Sequence, residues 1–406
     1  MNYCLLDSNE YKNDKYSDCS LVFAAGEYKS LLIDSDNKNA FDELKKFSDG
    51  IDDWIFGFFS YDLKNQLENL SSNNIDGIKM PLLYFFQPLI IILLNDDKVE
   101  IGTFQNGEWK PTEVFASINK EEDTPSPITH SVNILARINK AAYTDVVNKI
   151  KAHIQKGDVY EMNYCFEFFD ENAVVDPVES FIKLNSISPS PFASFFKYHT
   201  KYLMCSSPER FIKKKGNKLI SQPIKGTIGR GATEEEDRIL AEKLFNDPKE
   251  RSENVMIVDL VRNDLSKSAV KNSVEVEELF GIYKFAKVQQ MISTISSELN
   301  NQTHYIDAIK DAFPMGSMTG APKVKSMELA EKLEHTKRGL YSGAVGYFSP
   351  AKDFDFNVVI RSILYCSKNT YLSYMVGSAI TISSMPENEY EECLLKAKSM
   401  AEVFGF

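Results

Sequence analysis

A chain of 406 residues with 43% hydrophobic and 12% aromatic content can bury one large core or two fused ones, and its 26% charged residues are ordinary for a folded protein, so global disorder is excluded. The formal net charge of -12 argues against a polyanion as main partner, because nucleic-acid binding relies on clustered Lys and Arg that release counterions. A small anionic substrate, held by a few local cations or a metal, stays open.

The start, Met1 to Asp7, lacks a basic stretch followed by an apolar one, so no signal peptide is expected. Residues 20–33 and 82–106 are rich in β-branched and aromatic side chains broken by Gly, Asn and Asp, which favours strands, and Ala40–Phe47 reads as a short helix. The most apolar run, Pro81–Leu94, is shorter than the ~20 residues of a membrane helix and is interrupted by Gln87-Pro88, so it reads as one or two buried strands. Between Lys110 and Val132 the composition turns polar, with Lys120-Glu121-Glu122-Asp123 and then Thr124-Pro125-Ser126-Pro127, the pattern of a solvated connection. The main boundary falls there, between an N-terminal segment, 1–130, and the remainder, 131–406.

From Ala142, Tyr143, Val146, Val147, Ile150 and Ile154 recur at helical spacing until Gly157 stops the run, and a strand over Tyr160–Phe169 follows. Helices are expected over 234–246, 249–260, 304–313, 323–334 and 387–404, and strands near 193–204, 210–221, 342–349, 356–366 and 371–377. No internal repeat appears. The six cysteines, at 4, 19, 165, 205, 366 and 393, form no CxxC pair, which fits reduced thiols in a cytoplasm.

Four groups have chemical potential. Glu250 and Glu253 share a helix face at i,i+3, as do Glu389 and Glu392; two such helices facing each other would offer oxygen ligands to Mg²⁺. By spacing alone, solvated helix faces are the plainer reading. Lys225, in Ser221-Gln222-Pro223-Ile224-Lys225-Gly226-Thr227, would become an amine nucleophile if desolvation lowered its pKa below ~10.4, against the plainer reading of a surface lysine beside a turn. The small-residue loop Pro314–Lys323 opens a helix able to present N–H groups to an anion, without a Walker or GxGxxG pattern. Arg361, upstream of Gly377-Ser378-Ala379, has a guanidinium that forks onto carboxylates, although an ordinary strand arginine fits as well.

Taken in order, these segments resemble the chorismate-binding enzyme family over Tyr143–Phe406: Gly157-Asp158-Val159-Tyr160, Ser207-Pro208-Glu209-Arg210-Phe211, Pro223–Thr227, Asp259–Asp264, Gly316–Lys323, Arg338–Tyr347 and Pro386–Tyr390. The resemblance implies an α+β fold of two large, mostly antiparallel β-sheets packed as a sandwich with surrounding helices, in which 1–130 and 131–406 form one intertwined folding unit. It implies Glu253 and Glu392 as Mg²⁺ ligands, with Glu250 and Glu389 close behind, the ion holding the ring carboxylate of chorismate. Arg361 and Tyr341 would meet the enolpyruvyl carboxylate, helped by the backbone at Gly377, Ser378 and Ala379; Gly226 and Thr227 would line the ring, and Lys323 joins the substrate-binding set. Glu209 is similar to the family's general acid, which protonates the departing C4 hydroxyl.

Lys225 stands where relatives that add ammonia or water directly at C2 carry a small residue, which implies a lysine nucleophile and 4-amino-4-deoxychorismate as product, a folate precursor. The alternatives are anthranilate or isochorismate formation, or a non-catalytic binding subunit. No Cys sits in a Gly-x-Cys-x-Gly elbow, so ammonia from glutamine implies a separate glutamine amidotransferase subunit as partner, with no nucleic acid and no membrane. The first third resembles the family through Trp54–Asp62, and through Ser30–Ser35, similar to a tryptophan-sensing segment, from which no tryptophan binding is inferred. Three positions depart from the family pattern: Ile228 replaces an arginine, Gln290 a histidine, and Glu161 a glutamine or lysine. Without the histidine, elimination of pyruvate is not expected.

Overall fold

The computed structural model describes residues 1–34, 39–95, 98–104, 107–120 and 131–406. Residue 35, the ends of the strand-rich 82–106 stretch at 105–106, and the Glu121–Pro127 stretch with the boundary beside it lie outside the described residues. Among the described residues the chain forms an 11-stranded and a 10-stranded sheet, and every strand pairing within them is antiparallel. The first sheet runs from Gly320–Ala321 through Glu161–Asp170, Tyr371–Ile380, Ser362–Cys366, Lys201–Ser207, Phe192–Tyr198 and Tyr3–Asp7 to Leu21–Ala25, Ile90–Asn95 and Lys98–Thr103, with Leu135–Ala136 as an eleventh strand beside Glu161–Asp170. The second runs from Ile224–Gly229 through Val288–Glu298, Lys218–Gln222, Arg210–Lys215, Phe354–Asn357 and Ala344–Phe348 to Ile55–Phe59, Leu83–Gln87 and Lys29–Ile33, with Glu275–Lys284 as a tenth strand beside Val288–Glu298. Both sheets thus draw strands from before and after residue 130.

Strand alternation decides the layering. Phe56, Phe58, Tyr84 and Phe86 of the second sheet meet Phe196, Leu203, Cys205 and Leu364 of the first, with Phe58 and Phe196 edge to face at 5.2 Å. Their odd-numbered neighbours Ile55, Phe59, Leu83 and Phe85 turn outward onto helices Ala40–Asp49, Pro248–Ser266 and Tyr305–Ala312. On the far side, Phe195, Met204, Ile363 and Tyr365 pack under helices Lys140–Gln155, Pro177–Ile187 and Pro386–Val403. The expected sandwich with outer helices is what forms, and no described helix is long and apolar enough to cross a membrane.

Three expected strands prove to be pairs that change sheets. The apolar Pro81–Leu94 run splits into Leu83–Gln87 in the second sheet and Ile90–Asn95 in the first. Residues 20–33 split at Gly26, whose φ of +75 and close approach to Leu89 suit a residue without a side chain. Residues 356–366 split between Phe354–Asn357 and Ser362–Cys366, and the crossing segment leaves Arg361 with a positive φ of 50. Composition sees β-rich residues and not the change of sheet. Likewise 193–204 and 210–221 are hairpins that turn at His199 and Gly216.

The solvated connection is corrected in part, because Pro111–Ile118 is a helix, started by Pro at its first position and by Glu113 accepting from the Lys110 N–H. Helix Pro177–Ile187 and strands Glu275–Lys284 and Val288–Glu298 were not anticipated. Asp176-Pro177 carried a start signal for that helix: the Asp176 carboxylate accepts from the N–H groups of Val178 and Glu179.

Candidate active site

The strand Ile224–Gly229 lies at the end of the second sheet, and its pairing with Val288–Glu298 shifts register between Ile224 and Thr227. Such a bulge re-aims a side chain. Lys225 is turned into the protein, 9% exposed, and its ammonium meets the Glu161 carboxylate of the first sheet at 2.7 Å. Gly226, at φ +94, permits the bulge, and a Cβ there would meet a Glu250 oxygen at 3.1 Å. Thr227 is exposed beside it, opposite Gln290.

The charge state of Lys225 differs from the expectation. Burial pulls the ammonium down, but the charge of Glu161 and of Glu253, the Glu161 hydrogen bond and the charge of Glu209 prevail, so its pKa is raised. In the resting site Lys225 is therefore protonated, and it becomes a nucleophile only after a neighbour takes the proton. Glu161, 1% exposed, is the carboxylate hydrogen-bonded to it.

Glu209 sits in the tight link between strands Lys201–Ser207 and Arg210–Lys215, where its N–H donates to Ser207 Oγ and its C=O accepts from Val358. Burial pushes its carboxyl up to about 7 against the pull of the Ser317 hydroxyl, Lys225 and the Ile224 backbone. A carboxyl half protonated near neutrality suits a general acid.

Helix Pro248–Ser266 starts on Asp247, whose carboxylate accepts from the N–H groups of Lys249 and Glu250, and this fixes the turn that presents Glu250 and Glu253. Glu253 is 7% exposed and one of its oxygens, Oε1, is buried without a hydrogen bond; burial, opposed by Lys225 and reinforced by Glu161, pushes its carboxyl up to about 7. Burial also raises Glu250. Helix Pro386–Val403 brings Glu389, buried, to within 3.5 Å of the Lys249 ammonium, which lies 3.7 Å from Glu253. Glu392 pairs with Lys396 at 2.7 Å; although burial pushes it up, Lys396, Lys249 and Lys225 bring it below its ordinary range. Among the described residues no three His, Cys, Asp or Glu side chains converge as a ready cage. The set nevertheless fits Mg²⁺, which binds through one or two carboxylates and completes its shell with water and substrate oxygens. The orphaned Glu253 oxygen, facing an ammonium beyond hydrogen-bond reach, is the observation that favours it.

Arg361 closes the other end. Burial lowers its pKa while Tyr341 and Glu392 support its charge, and among the described residues no carboxylate pairs with its guanidinium. The Tyr341 hydroxyl is buried and 4.0 Å from Cys165 Sγ. Strand Tyr371–Ile380 keeps its Ser362–Cys366 neighbour only as far as Tyr374. Beyond that point Gly377 turns its C=O to the free edge, where Lys396 donates to it at 2.9 Å, and its N–H points the same way. Ala379 shares that edge. The Ser378 hydroxyl is bonded to Tyr143 instead, at 2.9 Å.

Lys323 stands apart, its ammonium engaged by Asp264 at 2.5 Å and the Ala312 C=O at 3.2 Å. The loop before it buttresses the Glu161 strand: Gly320, at φ +154, pairs with Met162 so closely that a Cβ would sit 2.2 Å from the Glu161 C=O. Arg338, donating to Met318 C=O, Asn163 C=O and Glu334, ties this loop to the segment carrying Tyr341. Ile228 packs on the small cluster of Leu244, Phe280 and Met291, and Gln290 leaves its Oε1 buried and unpaired. In the sequence Glu161 stands out only as a departure from the family pattern, and Lys249 and Arg338 show no role of their own. The i,i+4 spacing of Lys249 to Glu253 was a usable signal.

The family model described as chorismate binding enzyme matches residues 1–402. The chain belongs to the chorismate-binding enzyme family. As such it is an enzyme acting on chorismate. It is 33% identical over 356 residues to aminodeoxychorismate synthase component 1 of Bacillus subtilis (strain 168), covering 85% of this chain and 75% of that protein. It is 40% identical over 291 residues to a probable chloroplastic aminodeoxychorismate synthase of Oryza sativa subsp. japonica, covering 71% of this chain and 32% of that longer protein. The fold of this chorismate-binding enzyme is shared with anthranilate synthase component I of Streptococcus pneumoniae TIGR4, at a TM-score of 0.81 and 24% identity, over 93% of this chain and 91% of that one.

Proposed function

We propose that this chain is the ammonia-consuming large subunit of an aminodeoxychorismate synthase, converting chorismate and ammonia to 4-amino-4-deoxychorismate, with a separate glutamine amidotransferase subunit as the source of ammonia. The observation that carries the reading is Lys225, buried at a bulge and hydrogen-bonded to Glu161 at 2.7 Å. The names of the relatives above agree with it.

Glu161 takes the Lys225 proton, and the neutral amine attacks C2 of the ring. As that C–N bond forms, the ring double bonds shift and the C4–O bond breaks, with Glu209 protonating the leaving oxygen so that water departs. Ammonia then attacks C4, the double bonds shift back, and the lysine nitrogen leaves C2 and recovers its proton from Glu161. The incoming nitrogen sheds one proton to Glu209, so that chorismate plus ammonia balances 4-amino-4-deoxychorismate plus water. Arg361 pairs with the enolpyruvyl carboxylate, assisted by Tyr341 and the free N–H groups at Gly377 and Ala379, while Gly226 and Thr227 leave room for the ring. Glu253 and Glu392, with Glu250 and Glu389 near them, would hold Mg²⁺, which would supply the positive charge for the ring carboxylate.

The test is mass spectrometry of the product from chorismate, Mg²⁺ and ammonium, wild type beside Lys225→Ala. Aminodeoxychorismate from the wild type and none from the variant is expected. Anthranilate or isochorismate from the wild type would overturn the assignment within the family.

A further inference from the structure

We propose that Lys249 is a built-in counter-ion of the carboxylate pocket, an ammonium that occupies the divalent-cation position and has to be displaced before the ion binds. The inference depends on the Mg²⁺ reading above and concerns what fills that position in its absence.

Lys249 Nζ lies 3.7 Å from Glu253 on its own helix and 3.5 Å from Glu389 on the facing one. A charge-assisted N–H···O bond spans ~2.7–2.9 Å, so the ammonium balances both carboxylates and is hydrogen-bonded to neither. The two other ammoniums nearby behave differently: Lys225 is bonded to Glu161 and Lys396 to Glu392, each at 2.7 Å. Lys249 alone of these three bridges the two helices. All four acidic side chains act on it: burial lowers its pKa, but Glu253, Glu389, Glu250 and Glu392 together raise it. Glu253 Oε1, buried and without a hydrogen bond, marks the place where a better-fitting cation is wanted.

The same residue is built to leave. Its backbone is fixed by Asp247, which accepts from the Lys249 N–H at 2.9 Å, while its side chain is 43% exposed on a flexible stem. A Mg²⁺ at ~2.0–2.1 Å from Glu253 Oε1, the oxygen that the ammonium faces, would lie against that ammonium. The stem therefore swings to solvent as the ion enters. Until then it offsets the mutual repulsion of carboxylates on facing helices and keeps the pocket assembled. Competition of this kind holds ion affinity down in the free protein, so that tight binding waits for the oxygens of the substrate.

The experiment titrates the full-length protein, free of chorismate, with Mn²⁺ followed by electron paramagnetic resonance and with Mg²⁺ followed by calorimetry. The proteins compared are wild type, Lys249→Met, Lys249→Arg and Glu253→Gln, each checked for folding by circular dichroism. Lys249→Met is expected to bind Mn²⁺ about tenfold tighter or more. It should also melt at a lower temperature than wild type without metal and recover when Mg²⁺ is added, whereas Lys249→Arg should stay near wild type in both. Equal or weaker Mn²⁺ binding by folded Lys249→Met, including no binding by either protein, overturns the proposal. Undiminished binding by Glu253→Gln is a separate failure, that of the metal reading itself.

Discussion

Arg210 and Arg361 are both enclosed arginines in family-like segments, and their surroundings are opposite. Arg210 is 1% exposed and bonds Asp14, Asp355 and Gln222, with its guanidinium 4.6 Å from the centre of the Phe192 ring; Lys213 and Asp18 extend the network. Arg361 has a strained backbone and, among the described residues, no carboxylate paired with it, while Tyr341 and Glu392 act on it from a distance. A buried charge needs a partner. Where the protein supplies it the residue holds the fold, and where the protein withholds it, as at Arg361, the proposed partner is the enolpyruvyl carboxylate of the substrate. Glu209 and Arg210 place this division within a single peptide unit, since one side chain faces the open site and the next the closed network.

The comparison breaks or sharpens through four measurements. Arg210→Met should destabilise by about 3–5 kcal/mol in urea unfolding, because it takes from Asp14 and Asp355 the guanidinium they share and leaves Asp355 with Lys213; a loss below 1 kcal/mol would remove its structural role. Glu209→Gln should lower kcat by about 10²–10⁴-fold with little change in stability. With free ammonia held constant, wild-type kcat/KM should fall as pH rises through about 7, where Glu209 loses its proton. A profile flat from pH 6 to 9 would detach Glu209 from the acid role. Arg361→Met should weaken transition-state binding by about 2–5 kcal/mol, read as kcat/KM, while the melting temperature holds or rises because no internal pair is lost. If Arg361→Met instead unfolds as Arg210→Met does, the contrast fails.

The smallest effect concerns Glu253. Burial holds its carboxyl up at about 7, above its ordinary 4.5, so between those values the folded protein keeps a proton that the unfolded chain releases. Its contribution to stability is full below 4.5 and is lost as pH climbs through 7. In metal-free protein the melting temperature should therefore fall from pH 5 to pH 8, and Glu253→Gln should blunt that fall. Identical slopes in both proteins would place the titration elsewhere.

Much of this was legible in the sequence where the signal is local. The apolar spacing of Tyr143, Val146, Val147 and Ile150 and the stop at Gly157 mark one helix, and Glu250 and Glu253 fall on the other as their spacing implied, since periodicity and helix stops act within a few residues. Glu161 to Lys225, and Lys249 to Glu389, were not legible, because each pair joins elements far apart in the chain. Nor was the fate of Lys323, which a loop motif grouped with the substrate and folding directs to Asp264.

The sequence alone determined most of the helices and strand-forming segments, the acidic pairs and the lysine with chemical potential, all properties of short stretches and their side chains. Only the tertiary structure decided which strands cross between sheets, that Lys225 rests protonated among carboxylates, and that half-buried Arg361 lacks the carboxylate partners of buried Arg210 among the described residues. Burial and charge pairing are set by neighbours through space, and those neighbours exist only once the sheets have closed on each other.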